Sequence, residues 1–261
     1  MLEKKHPLLW YFILTFAITW GLASLYFLFP TFFVRISGEM SVANPLFILA
    51  VWAPNIAGVV VVAVSEGKVA VVRLLKRFVP VRVSLVWYML VLFLMPAAGV
   101  LINVITSTPI KFLTLPTSEF LSLLFVLLIT GPLGEELGWR GFALPRLLHR
   151  HSVSVSSLIL GVIWAIWHFP SFFVSGLPQT EAQIVIFFLA AVSLSIIITW
   201  IMIHTTGSVF LSFLLHYSVN FTLSALGTWL IYVMLFQSVL AVILLAVFGW
   251  NLRRLPVANR K

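Results

Sequence analysis

Three short constellations in the chain hold side chains that do chemistry. Glu135, Glu136 and Arg140 lie in Gly131-Pro-Leu-Gly-Glu-Glu-Leu-Gly-Trp-Arg140. His168 ends Trp164-Ala-Ile-Trp-His168, and His216 and Asn220 frame His216-Tyr-Ser-Val-Asn220. Residues four apart share a helix face, so Glu136 and Arg140 can pair and neutralise one carboxylate in a poorly solvated place. Glu135 is turned about 100° away and is left free to act as a general base. His216 and Asn220 put an imidazole and an amide on one face, and both can donate hydrogen bonds to a developing oxyanion. Each group also has a structural reading. Glu136 with Arg140 can be an architectural ion pair, His168 an interior histidine, and His216 with Asn220 an interhelical hydrogen-bonding pair.

These groups sit in a chain that reads as membrane protein. It is 62% hydrophobic and 9% charged, where soluble domains carry about 25% charged residues. Apolar runs recur along the whole length at roughly 8–30, 46–65, 84–105, 118–134, 155–175, 182–203, 207–226 and 229–250. Each is near the 20 residues that a bilayer requires. The expectation is an all-α, polytopic bundle of about eight spans forming a single membrane domain over 1–261, with the motif-bearing core at about 118–226. Ionisable side chains inside such spans are costly and by default mark a functional site. Cysteine is absent, which excludes a disulfide framework, a thiolate nucleophile and Cys-ligated metal. The apolar run after Lys4 and Lys5 is long enough to span, and no small-residue cleavage site ends it, so a cleavable signal peptide is not expected.

The net charge of +9 does not indicate nucleic acid, because the basic residues fall in short loops between apolar runs. With the N-terminus inside, the cytoplasmic segments hold Lys4, Lys5, Lys68, Arg73, Lys76, Arg77, Arg82, Arg140, Arg146, Arg150, Arg253, Arg254, Arg260 and Lys261. Only Arg35 and Lys111 fall outside. The positive-inside rule then places both termini in the cytoplasm, with anionic lipid at the basic loops. The segment from Lys68 to Pro80 reads as an amphipathic helix on the inner leaflet, Val71, Leu74, Leu75 and Phe78 facing one way and Lys68, Arg73, Lys76 and Arg77 the other. Glu135, Glu136 and Arg140 are expected at the cytoplasmic end of the fourth span. His168 and His216 are expected about 15 Å deep at 1.5 Å per residue, meeting the glutamates in a cavity open to the cytoplasm. His204, His6, His149 and His151 read as solvated, Asn55 and Asn103 as packing groups, and Trp139, Trp164 and Trp167 as candidates for the cavity wall.

The order Glu-Glu-x-x-x-Arg, aromatic-x-x-x-His and His-x-x-x-Asn on successive helices resembles the CPBP family of CAAX proteases and bacteriocin-processing (Abi) enzymes. The motifs run from Glu135 to Asn220. The resemblance implies an intramembrane endopeptidase in which Glu135 and His168 activate water, His216 and Asn220 stabilise the oxyanion, and Glu136 and Arg140 shape the site. Trp164 stands where the family usually has phenylalanine, a departure that reads as conservative. The family is commonly called metalloprotease, and Glu135, His168 and His216 form a candidate zinc set. No His-Glu-x-x-His pair occurs, however, and a glutamate–histidine dyad needs no metal.

The leading expectation is hydrolysis of a peptide bond near the cytoplasmic face, in a membrane-associated peptide or protein, prenylated if CAAX-like. Two other readings remain open at this stage: a non-catalytic scaffold or immunity protein, and a proton-coupled transporter. The transporter reading lacks repeated halves and paired broken helices.

Overall fold

A computed structural model of the chain describes residues 6–181 and 183–252. Lys4, Lys5, Arg253, Arg254, Arg260 and Lys261, used above for orientation, lie outside the described residues. Helices account for all regular structure among the described residues. They are α1 (Pro7–Leu28), α2 (Pro30–Ser37), α3 (Pro45–Val51), α4 (Ala53–Glu66), α5 (Lys68–Lys76), α6 (Leu85–Ile105) and α7 (Thr117–Ile129). There follow α8 (Pro132–Glu136), a π-helical stretch (Leu137–Ala143), α9 (Leu144–Leu148), α10 (Val153–Trp167), α11 (Ile184–His204), α12 (Val209–Ser224) and α13 (Leu230–Phe248). Proline opens α1, α2, α3 and α8, where its missing N–H is one of the unpaired donors of a first turn.

The bundle is an integral membrane fold, with a span count that departs from the eight expected. Six stretches are long and apolar enough to cross: α1, α6, Thr117–Leu148, Val153–Phe173, α11 and α13. The second expected span is broken, α3 and α4 meeting at Trp52 with a bend of 51°, and counting it gives seven. The seventh expected span, α12, is apolar but has 16 residues, about 24 Å of helix against a hydrocarbon core of roughly 30 Å. Apolar run length reveals neither the kink nor the early end at Ser224. The fourth span also differs. It continues to Leu148, so Glu135 and Glu136 sit within it rather than at its cytoplasmic end.

Large apolar side chains point outward along the crossing helices, including Phe93 and Leu101 on α6 and Val239 and Ile243 on α13, as a bilayer solvent favours. The interior is built by α10 against α11, α11 against α13, α12 against α6 and α1 against α4. Gly227, with φ of +71°, makes the short turn between α12 and α13, a backbone state that favours glycine.

The basic segment after α4 folds as α5, but its faces differ from the expected pattern. Ala70 and Leu74 are buried while Leu75 is exposed. Phe78 packs on Phe210 and Phe213. Arg77 turns inward and donates from Nη1 to the Gly141 carbonyl at 2.6 Å. His204 is partly buried: its ring lies among Trp87, Trp200 and Phe248. His6, His149 and His151 are exposed.

Candidate active site

The glutamate motif occupies the junction between one α-helical turn and the π-helical stretch Leu137–Ala143, a local winding that recurs at functional sites. The kinked span holds this junction. Asn55 donates from Nδ2 to the Leu133 carbonyl at 2.7 Å, and its Oδ1 accepts the Gly138 N–H at 2.8 Å. The Trp52 indole donates to the Ile129 carbonyl at 3.0 Å. Two irregular backbones thereby satisfy each other, as a low-dielectric setting demands. A Cβ at Gly138 would lie 2.3 Å from the Pro54 carbonyl oxygen, so the approach requires glycine.

Glu136 is fully buried, and its Oε1 accepts twice. Arg140 Nη1 donates to it at 2.9 Å within the motif, and His216 Nδ1 at 2.8 Å from α12. The pair with Arg140 is the one its spacing implies; the contact with His216 is invisible in the local pattern. Arg140 is also fully buried, with its guanidinium 4.3 Å from the centre of the Trp164 ring, a cation–π contact strengthened by desolvation.

Glu135 points to the other side. Its Oε2 accepts the Trp164 indole N–H at 2.7 Å. Replacement of the family's phenylalanine by tryptophan is therefore not conservative here, since phenylalanine has no N–H to give. The Trp164 ring lies edge-to-face with both His168 and His216. His168 places Nδ1 2.8 Å from the Trp164 carbonyl. A carbonyl can only accept, so Nδ1 carries a hydrogen, and in the neutral ring Nε2 keeps its lone pair. The end of α10 is anchored to α1, Trp20 donating to the Trp167 carbonyl and Trp167 to Thr19 Oγ1.

Glu135, His168, His216 and Asn220 all line one cavity of about 710 Å³, together with Trp164 and Trp167, while Glu136 and Arg140 lie behind its wall. Trp139 is buried away from it, against Tyr11 and Trp167. A Cβ at Gly131 would lie 2.7 Å from Asn220 Nδ2, which seats that amide against the start of the motif. Asn103 is a packing group, donating to the Leu226 carbonyl. Among the described residues, no three of His, Cys, Asp and Glu are gathered as a metal ion would require.

The cavity lining includes Met40, Lys111, Pro178, Gln179, Gly227 and Trp229. All belong to connections at the end of the bundle opposite the basic ones.

Fold and site together define a polytopic membrane bundle whose acid, histidine and amide groups line one cavity among its helices. Residues 117–222 match the Rce1-like family, described as type II CAAX prenyl endopeptidase Rce1-like. The CAAX prenyl protease 2 of Methanococcus maripaludis is 29% identical over 237 residues, 83% of this chain and 83% of the relative. The chain is thus similar to the type II CAAX prenyl endopeptidases, and the matched region contains all three motifs.

Proposed function

We propose that the chain is an intramembrane endopeptidase that hydrolyses a peptide bond of a membrane-held substrate inside this cavity. One observation carries the reading: Glu135, His168, His216 and Asn220, delivered by three separate helical stretches, converge on a single cavity wall. Glu135 and the unprotonated Nε2 of His168 take the proton of the attacking water. His216 and Asn220 face the carbonyl oxygen and stabilise the tetrahedral oxyanion. For His216 this requires a second ring proton, which the Glu136 carboxylate at Nδ1 helps to hold, while Arg140 balances the remaining charge. The leaving amine then recovers its proton from the Glu135–His168 pair, and no metal is needed.

The name of the archaeal relative makes a prenylated CAAX peptide the first substrate to try, with cleavage after the lipidated cysteine. The bacteriocin-processing branch of the family makes unlipidated membrane peptides the second. The concentration of lysine and arginine at one end supports a cytoplasmic location for that end and for both termini, with anionic lipid against it.

The test is cleavage of a quenched, prenylated CAAX peptide by the purified protein in detergent, with and without a strong chelator. Cleavage that survives the chelator and is lost on Glu135→Ala is expected. Retained cleavage in Glu135→Ala would sink the mechanism, and chelator sensitivity would sink its metal-free form.

A further inference from the structure

At the basic end of the bundle lies a second cavity, of about 770 Å³, that shares no lining residue with the first. Arg77, Trp87, Leu148, His204, Thr206 and Gly207 help to line it. Three of the crossing stretches terminate here. Thr117–Leu148 ends at Leu148, α11 ends at His204, and α6 begins two residues before Trp87. Span ends mark the level of the lipid headgroups, where tryptophan is enriched. Beside the cavity, Val79, Leu85 and Val86 are exposed, as apolar side chains are at a lipid boundary.

Arg77 supplies the charge. Its Nη1 donates to the Gly141 carbonyl at 2.6 Å. Its Nη2 faces the turn at Gly207, 3.6 Å from where a Cβ on that glycine would lie. A guanidinium has five N–H donors, yet Arg77 has no carboxylate partner among the described residues. Burial and the nearby Arg146 both push its pKa below the usual arginine value, while Arg146 itself is paired with Glu66. His204 places Nδ1 2.8 Å from the Trp200 carbonyl, leaving Nε2, which donates when the ring is charged. α11 ends and α12 begins at this turn, so their dipoles oppose each other and Arg77 sets the sign of the local field.

We propose that this cavity holds the phosphate of an anionic phospholipid headgroup, bound by Arg77 and His204, and that Arg77 links its occupancy to the glutamate motif. The guanidinium that meets the phosphate is the one bonded to Gly141 in the π-helical stretch Leu137–Ala143. A bound headgroup therefore steadies the winding that follows Glu135 and Glu136. The position at three span ends, with apolar side chains alongside, favours a lipid over free phosphate. Lys68, Arg73 and Lys76 on the neighbouring α5 enrich anionic lipid around the cavity. The binding stands on charge and cavity alone; its effect on cleavage rests on the endopeptidase reading.

The test is the melting temperature of the delipidated full-length protein in neutral detergent, with phosphatidylglycerol, phosphatidylcholine or inorganic phosphate added. A rise with phosphatidylglycerol alone is expected. Thr206 has φ of 56°, a backbone state that aspartate and asparagine tolerate. Thr206→Asp sets a competing carboxylate in the cavity and should need about ten-fold more phosphatidylglycerol, or more, for the same rise. Thr206→Asn, its neutral counterpart, should respond as the parent does. Arg77→Gln removes the charge itself and should behave like Thr206→Asp, while Lys68→Gln, outside the cavity, should keep the response. The proposal is overturned if phosphatidylcholine gives an equal rise, if Thr206→Asp responds as the parent, or if Lys68→Gln loses as much as Thr206→Asp. An equal rise with inorganic phosphate would assign the cavity to the free ion and overturn the lipid. In phosphatidylcholine nanodiscs, added phosphatidylglycerol should speed cleavage several-fold in the parent and not in Thr206→Asp; an equal gain in both overturns the link through Arg77. Absence of cleavage in every preparation would instead remove the endopeptidase reading and leave the melting result standing.

Discussion

Glu136 and His216, 80 positions apart in the chain, share a 2.8 Å hydrogen bond through the same carboxylate oxygen that Arg140 occupies at 2.9 Å. The carboxylate fixes the imidazole's tautomer as well as its orientation. Removing one member of a buried charged pair strands the other, at a cost of about 3–5 kcal/mol. Arg140→Ala is therefore expected to lower the melting temperature in detergent sharply. Glu136→Gln keeps the shape but leaves the buried Arg140 without its carboxylate, so it should also lower stability, and it should suppress cleavage because His216 loses its charged partner. Thermal unfolding read beside cleavage rate checks both, and a fully active Glu136→Gln enzyme would rule out this role for the contact.

Glu135 and His168 call for the opposite profile. Neither anchors an ion pair, so Glu135→Gln and His168→Ala should insert and fold as the parent does. Positioned acid–base groups contribute typically 10²–10⁴-fold, and a rate loss on the order of 10²-fold or more is expected from each variant. Size-exclusion behaviour and turnover, measured on the same samples, separate this outcome from misfolding.

Trp164→Phe isolates one hydrogen bond. The ring that stacks on Arg140 and borders both histidines is largely kept, while the N–H that holds Glu135 Oε2 is lost. A hydrogen bond to a charged group contributes about 1.5–3 kcal/mol. If that stabilisation orients Glu135 for the reaction, kcat should fall roughly 10- to 100-fold, since 1.4 kcal/mol is a factor of ten. KM should change little. A variant with unchanged kcat would show that Glu135 needs no such donor.

Two glycines of the same motif should respond differently to alanine. At Gly138 the new Cβ meets backbone, the Pro54 carbonyl, at 2.3 Å. The strain should place the loss near the top of the ordinary range, about 3 kcal/mol or more. At Gly131 it meets only the end of the Asn220 side chain, at 2.7 Å. That amide can swing aside, so Gly131→Ala should fold normally and cleave slowly. Paired melting curves and rates on the two variants make the comparison.

Much of the molecule was legible in the chain because membrane helices advertise themselves by apolar length and because i, i+4 spacing is local. The pairing of Glu136 with Arg140 follows from such a local signal. What was hidden depends on contacts distant in sequence. The bend at Trp52 leaves the hydropathy of 46–65 unbroken, yet it brings Asn55 to the motif. The π-helical winding after Glu136 has no signature in residue type, though Gly138 and Gly141 mark where backbone comes close. The hydrogen bond from Trp164 was hidden by treating aromatic residues as equivalent.

The double clasp of Asn55 on Leu133 and Gly138, reinforced by Trp52 on Ile129, fixes the backbone that carries Glu135 to the kinked span. His168 instead adjoins the 3₁₀ turn Phe169–Phe173, so the two members of the pair are held by different parts of the molecule.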